Sequence, residues 1–141
     1  MTKILIDTDV ILDFFFDRKP FSDKAAQVFS LCESKKIQGF VTPVIFSNTY
    51  YLLRRTASLE KVIDKLKKLL LITDILTMDR EVIIQALNSG FPDFEDALQN
   101  FAAINHGTID TIITRNIKDY SKSKIAVLTP ESFLKTLSIN Y

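Results

Sequence analysis

Asp7 follows directly on the apolar run Ile4-Leu5-Ile6, with Asp9 two residues on, and an acid in that place has a use that acids on a helix surface lack. A short apolar run reads as a buried strand. In an open parallel α/β sheet, ligands gather outside the carboxyl ends of strands, so a strand-end acid such as Asp7 faces a crevice. A second acidic group, Asp93 and Asp96, opens a helical pattern carrying Leu98, Phe101, Ala102 and Ile104. Polar atoms also follow a later β-rich run, in Thr114-Arg115-Asn116 and at Lys118-Asp119. Asn48 sits among apolar neighbours in the second turn of a helical pattern, where asparagine is a poor helix former and costs stability unless bonded. Carboxylates and amides converging on one crevice suit a Mg²⁺ or Mn²⁺ ion, which activates water and steadies charge on a phosphoryl group. Two ionised carboxylates about 5 Å apart at an effective dielectric near 20 repel by roughly 3 kcal/mol, and a cation or a proton relieves that repulsion.

The same residues have plainer uses. Asp7 suits the approach to a helix, and Asp9 suits a cap. Asp93 with Asp96 three residues later resembles a capping box, and Asn116 with Asp119 suits a turn. Other chemistries lack their residues: there is no Gly-rich phosphate loop, no Cys/His zinc spacing and no Ser/His/Asp set. The one histidine, His106, precedes Gly107 at a helix end, where a contact with the helix dipole accounts for it. The one cysteine, Cys32, has no intramolecular disulfide partner and falls in an apolar helical pattern, as a buried thiol does.

Strands and helices alternate in the order needed to position these groups. After the first strand, Thr8-Asp9 is expected to cap a helix bearing Val10, Ile11 and Phe14 to Phe16, and Ser22 to cap a second bearing Ala25, Val28, Phe29 and Cys32. Residues 38–41 read as a strand running into a helix with Thr42 as cap and Pro43 in its first turn, and Thr129-Pro130 repeats the device after residues 125–128. Ser58 caps an amphipathic helix whose Lys61, Lys65, Lys67 and Lys68 form a solvated face. Residues 72–77 read as a strand, Asp79 opens a helix that Ser89-Gly90 ends, residues 111–114 read as a strand and 115–120 as a polar turn. This alternation predicts a parallel sheet covered on both faces.

The 141 residues fit a single domain, 1–141, with one core. Apolar residues make up 47% and charged residues 25%, an ordinary globular composition that excludes disorder. Net charge is +1, so no whole-molecule field argues for nucleic acid or membrane, and any basic surface is local. No apolar run approaches the roughly 18 residues that span a bilayer, and the chain starts on a strand rather than a signal-type segment, so a cytoplasmic protein is expected.

Taken in order, Ile6-Asp7-Thr8-Asp9-Val10-Ile11-Leu12-Asp13, Asp93-Phe94-Glu95-Asp96-Ala97 and Thr114-Arg115-Asn116 with Lys118-Asp119-Tyr120 resemble the PIN domain family, and more narrowly the bacterial PIN proteins related to VapC-type toxins. The resemblance implies a three-layer α/β/α sandwich with a central, mainly parallel sheet, acting as a metal-dependent endoribonuclease, often the toxin of a toxin–antitoxin pair. It implies Asp7 and Asp96 as ligands of Mg²⁺ or Mn²⁺. Asn48 and Asn116 stand where the family has its second and fourth acids, so oxygen ligands are kept and two negative charges are lost. Asp9, Asp93, Asp119 and Thr114 would support the ion from around it, with Arg115, Lys118 or Arg18 on RNA phosphates. It also implies an antitoxin partner and pairing as a homodimer. Two other readings stay open: a PIN-like module that grips RNA or a partner protein without cutting, and an unrelated α/β phosphoryl-transfer protein with Asp7 as nucleophile.

Overall fold

In the computed structural model, which describes residues 1–140 and the side chains of 1–138, the first strand takes the middle of the sheet. The strands are β1 (Lys3–Ile6), β2 (Gln38–Val41), β3 (Asp74–Ile75), β4 (Thr111–Ile113) and β5 (Ala126–Leu128), in spatial order β3-β2-β1-β4-β5. Every pairing is parallel. β1 is bordered on both sides and Ile4, Leu5 and Ile6 are fully buried, which is why its run is uninterruptedly apolar. Strand order reverses at β1, since the chain builds outward through β2 and β3 before returning to β4 on the other side. That reversal opens a crevice at the carboxyl ends of β1 and β4.

The helices are α1 (Thr8–Phe15), α2 (Ser22–Glu33), α3 (Pro43–Arg54), α4 (Leu59–Ile72), α5 (Arg80–Leu87), α6 (Phe94–His106) and α7 (Pro130–Asn140), with a 3₁₀ turn at Ile117–Tyr120. They cover the sheet as the outer layers of an α/β/α sandwich; α5 packs on α6, and α1 packs on α2 and α3. Gly39 on β2 lets α2 come close, because a Cβ there would stand 2.7 Å from the Cys32 sulfur. Cys32 is buried and free, as its helical pattern suggested. Among the described residues no helix is long and apolar enough to cross a membrane.

Five caps act as expected: Thr42, Ser58, Asp79, Asp93 and Thr129 each accept a backbone N–H from the first turn of the following helix. Two do not. Asp7 itself, rather than Thr8-Asp9, caps α1, accepting from the Thr8 N–H at 2.8 Å. The chain turns into the helix immediately after β1, so the strand-end acid takes the cap position. At α2 the cap residue is Phe21 with no side-chain bond, and the Ser22 hydroxyl is buried without a partner. The strand expected over 72–77 shrinks to Asp74–Ile75, because α4 runs on through Ile72 and only two residues come into register with β2. Within residues 115–120, expected as a polar turn, Ile117–Tyr120 forms a 3₁₀ turn that buries Tyr120.

Candidate functional site

The register of the central strands dictates the floor of the site. Ile6 pairs with Ile113, so β1 and β4 finish level and the residues after them, Asp7 and Thr114, stand side by side. The Asp7 N–H closes the ladder on the Ile113 carbonyl at 3.0 Å. Its carboxylate accepts from the Thr114 hydroxyl at 3.0 Å and the Tyr120 hydroxyl at 3.2 Å, besides its bond to the Thr8 N–H. Asp9 lies one step into α1 and accepts from the Arg115 N–H at 2.9 Å. Thr114 also stands 3.3 Å from Asp9, but a hydroxyl has one proton to donate and serves only one of the two carboxylates at a time. The other oxygen of Asp9, Oδ1, is buried with no partner at all.

Above this floor opens a notch of about 480 Å³, lined by Asp7, Thr8, Asp9, Leu12, Arg18, Asn48, Tyr51, Leu52, Arg55, Asp93, Glu95, Asp96, Gln99, Asn116 and Asp119. Larger hollows lie elsewhere on the surface, one lined by Leu31, Ile37, Leu134 and Leu137, but none of those gathers acids from distant parts of the chain. α6 contributes one wall. Asp93 caps that helix by accepting from the Asp96 N–H at 3.0 Å, so its capping role and its place in the notch coexist. Asn48, on the α3 wall, donates to Glu95 at 2.7 Å across the notch, which answers how an asparagine is tolerated in that helix. Behind them Thr42 donates to Gln99 at 2.6 Å, tying the start of α3 to α6. Asn116 and Asp119 supply the third wall.

The acids are crowded enough to disturb each other. Burial, and then the charge of Asp9, lifts Asp7 from 3.8 to about 6 against the three donors that favour its ionised form. Burial, and then the charges of Asp7, Asp93 and Asp119, lifts Asp96 from 3.8 to about 7. Asp9 is raised too, chiefly by burial. The Tyr120 hydroxyl stands against both Asp7 and Asp96, and its own ionisation is driven far up by burial and those two charges, so it keeps its proton and serves as a hydrogen-bond donor.

A carboxyl with a raised pKa binds more protons folded than unfolded, so its contribution to stability is present below its unfolded value and is lost as pH rises through its folded value. For Asp7 and Asp96 that window runs from about 4 to about 7. The metal-free chain is therefore expected to lose about 2 kcal/mol of unfolding free energy between pH 5 and pH 8, with the half-exposed Asp96 counted at a discount. Urea midpoints at the two pH values measure this, and equal or higher stability at pH 8 contradicts it.

A hard divalent cation fits the chemistry of the notch. Its donors are all oxygens, its acids resist ionising together, and Asp9 Oδ1 is a buried acceptor with nothing to accept from. Among the described residues no three His, Cys, Asp and Glu side chains are grouped as ion ligands, and Mg²⁺ commonly takes only one or two carboxylates and keeps its waters.

Two expected phosphate contacts are placed elsewhere. The Arg115 guanidinium forks onto the buried Asp13 at 2.6 and 2.9 Å and lies 4.0 Å from the centre of the Phe21 ring. Neither Arg115 nor Lys118 lines the notch; the arginines that do are Arg18 and Arg55. Sequence reasoning also passed over Glu95, Tyr51, Arg55, Gln99, Tyr120 and Asp13. One signal was available for two of them: Asn48, Tyr51, Leu52 and Arg55 are spaced three, four and seven apart, which puts them on one helix face.

An acidic notch at the switch point of a parallel sheet, inside an α/β/α sandwich, is the arrangement of the PIN domain. The sequence model of that domain matches residues 3–118, and the chain belongs to the PIN domain family. Ribonuclease VapC1 of Aquifex aeolicus (strain VF5) is 25% identical over 136 residues, covering 93% of this chain and 92% of that protein. Among solved structures, VapBC2 from Rickettsia felis, bound to a DNA fragment from its promoter, aligns with a TM-score of 0.68 at 15% identity, over 90% of this chain and 97% of the matched one. Mycobacterium tuberculosis VapC20, described as a sarcin-ricin loop cleaving toxin, aligns with a TM-score of 0.63 at 15% identity, over 87% and 98%. At such identities the structural likeness speaks for the fold alone.

Proposed function

We propose that this chain is a metal-dependent endoribonuclease of the toxin kind, hydrolysing RNA phosphodiester bonds in the acidic notch. The observation that carries the reading is the meeting of Asp7 and Asp96, 89 positions apart by number, against one tyrosine hydroxyl with their ionisation suppressed. Asp7 and Asp96 would hold Mg²⁺ or Mn²⁺. When bound, such an ion supplies an activated water and neutralises charge on the phosphoryl group. Thr8, Thr114 and Tyr120 fix the Asp7 carboxylate in one orientation. Asp9, with its free Oδ1, and Asp119 and Asp93 would accept from ligand waters around that position, while the Asn116 amide can orient a water or donate to a phosphate oxygen. Asn48 on α3 holds the Glu95 carboxylate of α6 across the notch, so a negative charge stands beside the amide that α3 offers. Arg18 and Arg55 take the flanking phosphates in place of Arg115, with Lys118 exposed farther out.

RNA as substrate is supported by the relative named a ribonuclease, and a restraining partner, antitoxin-like, by the VapBC assembly of the Rickettsia felis relative. Exposed Ile83, Ile84 and Leu87 on α5 support pairing of two copies. We place the protein in the cytoplasm, where its substrate is. A second reading, a module that grips RNA or a protein without cutting, is favoured by the amides at Asn48 and Asn116.

Labelled RNA incubated with the purified chain decides between them. The nuclease cuts with Mn²⁺ or Mg²⁺, stops with EDTA and resumes when Mn²⁺ is restored in excess. No cutting with either metal, with binding retained, leaves the module.

A further inference from the structure

We infer that Tyr51 is the base platform of the notch, stacking on one unpaired nucleobase while Arg55 holds a neighbouring phosphate. This rests on the nuclease reading above and assigns the residue that selects how RNA sits there. Tyr51 is 67% exposed, although it stands on α3 in a wall otherwise made of polar groups and Leu52. Its neighbour Tyr50 behaves differently, packing against the cluster of Leu12, Leu53 and Val62. The two rings meet at 90° with centroids 5.0 Å apart. In that geometry the edge of one ring meets the face of the other, so at least one face of Tyr51 is left free of Tyr50 while its tilt is held.

Charge says what covers the free face. The floor of the notch is acidic and repels phosphate, so a nucleic-acid strand entering it needs cations beside the acids. They are present in Arg55, one helical turn beyond Tyr51 on the same face, and in Arg18, both lining the notch. An exposed aromatic that lines one notch with acids and two arginines matches a nucleotide: a flat apolar base for the ring and an anionic backbone for the guanidinium groups. A base inside a duplex keeps both faces stacked and is closed to Tyr51, whereas a splayed one is open to it.

The test uses the whole chain in EDTA, so that nothing is cut, and a short fluorescent single-stranded RNA, alone and as a series with one abasic position walked along it. Tyr51→Ala is expected to weaken binding of the intact RNA about tenfold, and Tyr51→Phe to keep it within about twofold. At one abasic position the wild type is expected to fall to the level of Tyr51→Ala. The exposure of the ring makes both variants fold, and circular dichroism checks it. Equal affinity of wild type and Tyr51→Ala overturns the platform, as does the same tenfold loss at every abasic position. Failure of the wild type to bind RNA overturns it too. Cutting by the wild type is scored separately in Mn²⁺: cutting with no Tyr51 effect sinks the platform alone, and a Tyr51 effect without cutting sinks the nuclease alone.

Discussion

Asp7→Asn is expected to lower metal-dependent RNA cleavage by about a thousandfold and, in the same protein, to raise the stability of the metal-free chain. Both effects have one source. Asp7 is buried at the end of the central strand and ionises only at about 6 because burial and the Asp9 charge oppose it. At pH 8 the fold carries that unfavourable charge. Asparagine keeps the shape, caps α1 as well as aspartate does, and leaves the Thr8 N–H an acceptor, so removing the charge relieves about 1 to 3 kcal/mol. The same charge is what a divalent cation and the phosphoryl transition state depend on, and its loss forfeits several kcal/mol of stabilisation at the reacting centre. Opposite changes in activity and stability mark a strained functional group rather than a structural one. Initial rates in Mn²⁺ and urea midpoints in EDTA measure the two. A variant that cuts within tenfold of the wild type removes Asp7 from the chemistry, and one that melts earlier makes it a structural acid.

What could be read in the chain without coordinates follows the range of the interactions. Thr42-Pro43, Ser58, Asp79 and Asp93 are caps whose partners lie three residues away, and local chemistry suffices to find them. The alternation of apolar runs with amphipathic patterns suffices for the parallel sheet as well. The strand expected over 72–77 is shorter in the fold because its length is set by register with β2, not by its own apolar residues. Tyr120 read as part of a turn, yet it is buried and stands between Asp7 and Asp96, a place fixed by three elements at once. Acids were legible as candidates because few other uses suit them at a strand end. Arginines were not, since Arg115 and Arg55 are equally plausible on any surface and only their distant neighbours separate them.

Arg115 is where that difference has its largest energetic consequence. Asp13, on α1, is 1% exposed, and the Arg115 guanidinium meets both its oxygens. The other cation near Asp13 is Arg18 at 3.6 Å, itself 42% exposed. Removing one partner of a buried pair leaves the other charge uncompensated, which costs about 3 to 5 kcal/mol; with Arg18 still close, the lower end is expected for Arg115→Ala. Loss of the contact with the Phe21 ring adds to it. For a chain of this length the melting temperature falls by about 10 °C. Arg115→Lys recovers little, because an ammonium cannot bond both oxygens of Asp13 in one plane. Adding Asp13→Asn to Arg115→Ala recovers much of the loss by removing the stranded charge, and the double-mutant cycle isolates the pair. A phosphate contact predicts the reverse pattern, with RNA affinity lost and melting unchanged. Thermal melts of the three variants beside their RNA affinities therefore distinguish the clamp from the contact, and an Arg115→Ala protein that melts within about 2 °C of the wild type refutes the clamp.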